Sequence, residues 1–289
     1  MFAFIKEVFQ HFFKSNTFQK GASLGYYAVF SFLPIIIIVT SILGLLFGKQ
    51  AISGEIYTQL KGLLGSDAAI QIQDLIKNQH YNHNSILTTL IGLVTLFFSA
   101  SKMFIQIHNS FNNVWDIKSK PKNNVVKYIS KHFASFLLLI FLFFLLGLST
   151  AVNSFLLSYS KNLHYDIESL FLYEYLASIV VLSLIFAIMF KFLGDAIVHW
   201  KIAFSAGLFT AVFFTFGKII IGLYIKHSHI TSAFGSASVL ALLMLWVYYT
   251  SQILFLGASF AEILGRKTGL EIKPKKNAVK IKGVELNDN

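Results

Sequence analysis

Residues 194–265 read GDAIVHWKIAFSAGLFTAVFFTFGKIIIGLYIKHSHITSAFGSASVLALLMLWVYYTSQILFLGASFAEILG. Two apolar runs lie in this stretch, Ile202–Ile225 and Ser238–Leu264, each long enough as a helix to cross a hydrocarbon core of about 30 Å. In the first, Ala203, Gly207, Ala211 and Thr215 recur every fourth residue. That spacing sets four small side chains on one helix face, where a neighbouring backbone can come close. Lys218 interrupts the first run near its far end, and the second run closes on Gly257-Ala258-Ser259 with Glu262 one turn on. The stretch predicts an all-α membrane protein whose functional groups are a few ionisable side chains in apolar surroundings.

Composition agrees with lipid as the solvent. The chain of 289 residues is 55% hydrophobic and 13% charged, with 31 phenylalanines, and its mean hydropathy is +0.66. One integral membrane domain is the simplest organisation. There is no cysteine, which removes disulfides, thiolate metal sites and thiol nucleophiles. The net charge of +11 raises nucleic acid as a partner. The charges fall between apolar runs, however, where lysine sets topology, so no nucleic acid is expected.

Six spans are predicted, near 23–47, 86–107, 133–155, 176–192, 202–225 and 238–264, within a domain of residues 21–266. Ahead of them, residues 1–20 place Phe2, Ile5, Phe9, Phe12 and Phe13 on one helical face, with Lys6, Glu7, Gln10 and Lys14 largely off it. This pattern reads as a helix lying in the membrane interface. It lacks the architecture of a cleaved signal sequence, so no processing is expected. Between spans one and two, Ile56, Leu60, Leu63 and Leu64, then Ala69, Ile72, Leu75 and Ile76, predict an outer amphipathic helical segment. Residues 267–289 read as a polar tail, disordered at its end. Outside the spans, seventeen Lys and Arg lie on the side of both termini and five on the other, which places both termini in the cytoplasm.

Several residues are candidates for a substrate or ion path. Lys218 either snorkels to the outer interface or pairs in a polar cavity with Glu174, with Asp166 and Glu168 as further partners. Lys102, Asp195 and Glu262 fall near the inner ends of spans two, four and six. A pairing of Lys102 with one of these carboxylates would serve as structural glue, and a proton or substrate relay is the alternative. Pro34 removes an amide donor inside span one, and its kink, with Tyr26, Tyr27 and Ser31, could shape a cavity. Ala203, Gly207, Ala211 and Gly257 are helix-packing positions. Trp115 and Trp200 read as interfacial anchors, whereas Trp246 lies too deep for that and is expected to pack against helices. His80 with His83, and His227 with His229, lack a carboxylate at ligand spacing, so no metal and no cofactor are expected.

Asp195-Ala196, Trp200, Phe216-Gly217-Lys218, Gly222-Leu223-Tyr224, Leu245-Trp246-Val247-Tyr248-Tyr249 and Leu256-Gly257-Ala258 together resemble the signature of the YihY/BrkB family. Ala22-Ser23-Leu24, Tyr26-Tyr27, Ser31-Phe32-Leu33-Pro34 and Phe111-Asn112-Asn113-Val114-Trp115 extend the resemblance over roughly Phe18 to Lys267. The family consists of bacterial inner-membrane proteins whose older designation is ribonuclease BN. Its usual Pro-Asp-Ala is replaced by Gly194-Asp195-Ala196. Its Gly-Ala-Glu is replaced by Gly257-Ala258-Ser259, which leaves Glu262 as the candidate substitute for the glutamate. The resemblance implies an inner-membrane protein linked to serum resistance and envelope traits. A non-enzymatic transporter or permease for an amphiphilic or anionic envelope molecule is the first reading, with membrane lipids as partners. An envelope assembly protein is the second. A membrane ribonuclease is the weakest, because the cytoplasmic segments offer lysines but few His or carboxylate groups for acid–base or metal chemistry.

Overall fold

The computed structural model describes residues 2–31, 70, 73, 102–120, 167–227 and 238–281. The expected third span, Pro34, Asp166, most of the first two spans and nearly all of the outer amphipathic segment lie outside the described residues. The side chains of Glu168 and Glu174 lie outside them as well.

The N-terminal pattern forms α1, Phe2–Lys14. Its side chains divide in a way the face prediction did not anticipate. Val8 and Phe12 are buried, while Ile5, Phe9 and Phe13 remain exposed. One apolar edge therefore packs on protein and another is left for lipid. Beyond the helix end Asn16 takes a positive φ of 50°. The Thr17 hydroxyl then donates to the Phe12 carbonyl at 3.2 Å, satisfying one of the acceptors a helix end leaves open. Helix α2 follows over 17–31 and α3 over 102–114.

The three later helices are α4 (Ile167–Phe192), α5 (Trp200–His227) and α6 (Ser238–Lys267). Within them Trp200–Ile221 and Leu240–Lys267 are long and apolar enough to cross a membrane. Only 33% and 44% of their most apolar windows are buried inside the protein. A helix apolar all round but mostly uncovered by protein needs an apolar solvent, and a bilayer supplies it. The apolar part of α4, Ser178–Phe192, is shorter, and the helix runs back to Ile167, beyond the start expected for the fourth span.

Packing divides the chain into two units. The first comprises Met1–Thr17, Ile105–Thr215 and Gln252–Asn289. Its centre is aromatic: Phe111 lies 5.2 Å from Trp115, 5.5 Å from Phe190 and 6.5 Å from Phe255 between ring centres. The small-residue face of α5 meets α4 here. Ala203 and Ala211 are fully buried, and a side chain at Gly207 would overlap the Ser183 carbonyl and lie 2.8 Å from the Ala187 nitrogen. Gly257 on α6 is equally confined, by Thr210 and by the Phe190 ring tip at 2.9 Å. Helix α1 docks on α6 through Phe4, edge-on to Phe260 at 5.4 Å, and a Glu7–Lys267 ion pair at 2.9 Å.

The second unit comprises Phe18–Phe104 and Phe216–Ser251. In it α2 backs onto α6 where Gly25 faces the Met244 carbonyl, and Gly217 of α5 leaves room for the Tyr249 hydroxyl. Ser31 is buried and donates to the Tyr27 carbonyl at 2.9 Å, so its hydroxyl is held by its own helix.

The segment beyond α6 is ordered against the helices as far as Ile281, and the end expected to be disordered lies outside the described residues. After Gly269, at a φ of 72°, the chain folds back through Ile281. It pairs with two inter-helix turns far away in sequence. Strand β1 (Ile117–Ser119) runs antiparallel to β4 (Ala278–Lys280), with Lys118 opposite Val279. Strand β2 (Ala196–Ile197) runs antiparallel to β3 (Lys273–Pro274), with Ile197 opposite Lys273. Ile272 is almost completely buried. Composition suggests a solvated tail because lysines dominate it. Two of those lysines are held: Lys275 by the Gly194 carbonyl and Lys280 by Glu262.

Candidate functional site

Two acidic groups organise the end of the first unit where the tail folds back. Asp195 lies in the turn between α4 and β2. Its Oδ2 accepts from Asn112 Nδ2 at 2.9 Å, sits 3.0 Å from His108 Nε2, and accepts a very short hydrogen bond from the Ser119 hydroxyl. Its backbone N–H donates to Asn112 Oδ1 at 2.8 Å. The tail closes the other side: the Lys275 N–H donates to the Asp195 carbonyl at 2.9 Å, and Lys275 Nζ to the Gly194 carbonyl at 2.8 Å. Burial by itself would raise the Asp195 pKa. The bonds from His108, Ser119 and Asn112 outweigh it and hold the carboxyl far below the usual carboxylate range. Lys275 shifts down, because burial disfavours its charge by more than the attraction of Asp195 restores, and Lys191 adds a smaller repulsion.

The local sequence explains the convergence. His108 and Asn112 are four residues apart on α3 and therefore share a face. The helix ends at a turn through Asp116, with φ 52°, which brings Ser119 back toward Asp195 on β1. Trp115 fills the space beneath. It is fully buried, and its indole N–H donates to the Ala258 carbonyl at 3.1 Å. The reading of Trp115 as an interfacial anchor is thereby corrected: its polar atom has a partner inside the protein, so it needs no water. Gly194 is required by the same ring, since a β-carbon there would come within 2.6 Å of it. Beside the site, Asn109, Asn112, Asn113, Ile117, Lys118, Ser119 and Ile281 line an open groove of about 390 Å³.

The second acidic group is Glu262, fully buried on α6. Its Oε1 accepts from Arg266 Nε at 2.9 Å and from Lys280 Nζ at 2.9 Å. Arg266 also reaches Asp116 at 3.6 Å, and Lys280 Nζ donates to the Ile272 carbonyl at 3.3 Å. Oε2 is buried without a partner among the described residues. His11 of α1 lies in the field of this cluster, and burial leads the effects that lower its pKa, against the pull of Glu262. A buried carboxylate with two cations on one oxygen is a tight electrostatic knot.

Asp195 and Glu262 take these partners within the first unit; Lys102, offered as a partner for one of them, is exposed on α3. The hydrogen-bonding residues His108, Asn112, Ser119, Lys275 and Lys280 escape a search for charge pairs along spans. The available signal was the FNNVW stretch, whose Asn112 grips Asp195 and whose Trp115 underlies it. Lys218 lies elsewhere, exposed on α5 in the second unit, and Tyr27 is half-buried there. Among the described residues no three His, Asp or Glu side chains gather as metal ligands.

Comparison with known proteins places these features in a wider setting. A UPF0761 membrane protein of Ralstonia nicotianae is 26% identical over 255 residues, covering 85% of this chain and 55% of its own length. One from a Psychrobacter species is 24% identical over 277 residues, covering 95% and 50%. One from Aggregatibacter aphrophilus is 23% identical over 263 residues, covering 88% and 89%. The chain thus spans about half the length of the first two of these relatives. No solved structure matches it. The family described as virulence factor BrkB matches residues 8–282, an interval that takes in the FNNVW turn, the Asp195 loop and the folded-back tail. With its membrane-crossing helices and that match over nearly its whole length, this chain belongs to the virulence factor BrkB family.

Proposed function

We propose that this membrane protein is a permease that moves an amphiphilic, anionic envelope molecule across the bacterial inner membrane, and that it is not an enzyme. The observation that carries the reading is Lys218. It is exposed on α5 within the membrane-crossing window Trp200–Ile221, and Phe216, Ile219 and Ile220 around it are exposed and apolar. An ammonium on an otherwise apolar surface at membrane depth is unfavourable unless a counter-charge or water reaches it. An amphiphile with an anionic head satisfies both parts of that surface at once. The excess of lysine on the side of both termini serves orientation in this reading, with the termini cytoplasmic and nucleic acid not a partner.

Purified protein in vesicles should accelerate the transbilayer movement of a fluorescent anionic phospholipid above that of protein-free vesicles. Lys218→Met should lower that rate at least several-fold while the protein remains folded. Equal rates with and without protein would remove the permease reading. A second reading, an envelope assembly protein, is supported by the internal contacts that hold Asp195 and one oxygen of Glu262, which is how a scaffold uses charge. Under it, Lys218→Met would leave lipid movement unchanged and disturb only assembly.

A further inference from the structure

The turn between α4 and α5 carries an aromatic shelf beside a group of lysines. Phe192, Trp200 and Phe204 are each about half exposed. Phe192 meets Trp200 edge-on at 6.0 Å, and Trp200 stacks on Phe204 at 5.3 Å. Lys191 Nζ lies 5.3 Å over the Trp200 ring while donating to the Val198 carbonyl. Lys201 follows Trp200 and is exposed. Lys273 is exposed opposite Ile197 in the β2–β3 ladder, and Lys275 follows it, held at the Gly194 carbonyl. The carboxylate of this loop, Asp195, is occupied by His108, Asn112 and Ser119. Four lysines thus lie on this turn, the start of α5 and the ladder beside it, and the one acid of the loop is already taken.

The apolar part of this surface continues along α5. Trp200, Phe204, Leu208 and Val212 are spaced by four and all exposed, which makes one stripe running away from the lysines. Its length is about 18 Å at about 1.5 Å per residue, close to one leaflet's share of a hydrocarbon core of about 30 Å. A cationic head site joined to an acyl-length apolar stripe has the shape of one phospholipid. Basic surfaces at the ends of membrane helices hold anionic headgroups by this combination of charge and interfacial aromatic rings.

We infer that the α4–α5 turn and the β2–β3 ladder form a binding site for an anionic phospholipid of the adjoining leaflet. The headgroup phosphate is held by Lys191, Lys201, Lys273 and Lys275, and an acyl chain lies along Trp200, Phe204, Leu208 and Val212. The site involves neither Lys218 nor movement of lipid across the membrane, and it stands whether or not the protein is a permease.

Trp200 supplies the measurement. The full chain is reconstituted in phosphatidylcholine vesicles containing either brominated phosphatidylglycerol or brominated phosphatidylcholine, and the part of the fluorescence lost in Trp200→Phe is followed. Phosphatidylglycerol should quench that part at a mole fraction at least several-fold lower than phosphatidylcholine. Lys201→Gln and Lys273→Gln should each weaken the preference about five-fold, as expected for one cation near a charged lipid. The thermal melt of each variant shows that it is folded, and the two substitutions made singly keep the test open if the double variant is not. Equal quenching by the two lipids overturns the site, as does a preference unchanged in folded variants. Displacement of the lipid by millimolar glycerol phosphate overturns it too, because the occupant would then be a soluble phosphate.

Discussion

Asn112 holds Asp195 at two points: its amide nitrogen donates to the carboxylate at 2.9 Å, and its amide oxygen accepts the Asp195 backbone N–H at 2.8 Å. One side chain thereby fixes both the position and the charge of another, although the two lie on separate elements. The exchange requires a donor and an acceptor on the same planar group, which only an amide side chain offers at this length. Asn112→Ala should cost about 1.5–3 kcal/mol, the range for hydrogen bonds to a charged group. Asn112→Asp should cost more, since it sets two carboxylates against each other. Thermal melts of the two variants in detergent check the order, and an Asp variant as stable as wild type would refute the geometry.

Acid should loosen the same turn. Asp195 binds its proton far less readily folded than unfolded. Its stabilising contribution is therefore complete above the ordinary aspartate pKa and lost as pH falls below that value toward the folded one. Wild type should lose thermal stability between about pH 4 and pH 2, and Asp195→Asn should be less stable at neutral pH but show a flatter dependence there. Parallel pH profiles for the two proteins would mean that other carboxylates govern acid sensitivity.

The Glu262 knot should be strongly coupled. Removing one partner of a buried pair leaves a charge unsatisfied, typically at about 3–5 kcal/mol. Glu262→Gln and Lys280→Met should each destabilise the protein and expose the segment after Lys267 to proteases. The double variant should recover part of the loss. Strictly additive losses would show that the two residues act independently.

Close packing makes its own prediction at Gly207. Gly207→Leu forces a side chain into the Ser183 carbonyl and the α4 backbone, so yield and melting temperature should fall, at a cost of at least about 1–3 kcal/mol. Leu208→Ala, one residue on and half exposed, should be nearly silent. Similar effects at the two positions would mean that this face of α5 is not in contact.

Orientation is open to a direct experiment, because the chain has no cysteine of its own. An impermeant thiol reagent applied to intact cells should label Asn78→Cys and Asn162→Cys and leave Asn123→Cys untouched. Labelling at position 123 from outside would invert the topology inferred from lysine distribution.

What could be read in advance follows from the range of each interaction. Helices α5 and α6, the small-residue face and the existence of α1 are properties of local period and composition, and the residues themselves carry them. The clasp around Asp195 is different. Its parts come from α3, β1, the α4–β2 turn and the tail, and no periodicity relates positions 112, 195 and 275. Trp115 shows the same limit: a tryptophan near a predicted span end reads as an interface anchor until a distant carbonyl, that of Ala258, claims its N–H. The lysines of residues 267–281 were equally ambiguous, since a solvated cation and a clamped one have the same composition.

The two small ladders also set an order of assembly. Strand β1 waits for β4 and β2 waits for β3, and both late strands leave the ribosome only after the helices α1 to α6. The two ladders on the Asp195 turn and the Asp116 turn can therefore close only once the tail has been made. The segment made last is thus the one that ties two earlier turns of the chain to each other.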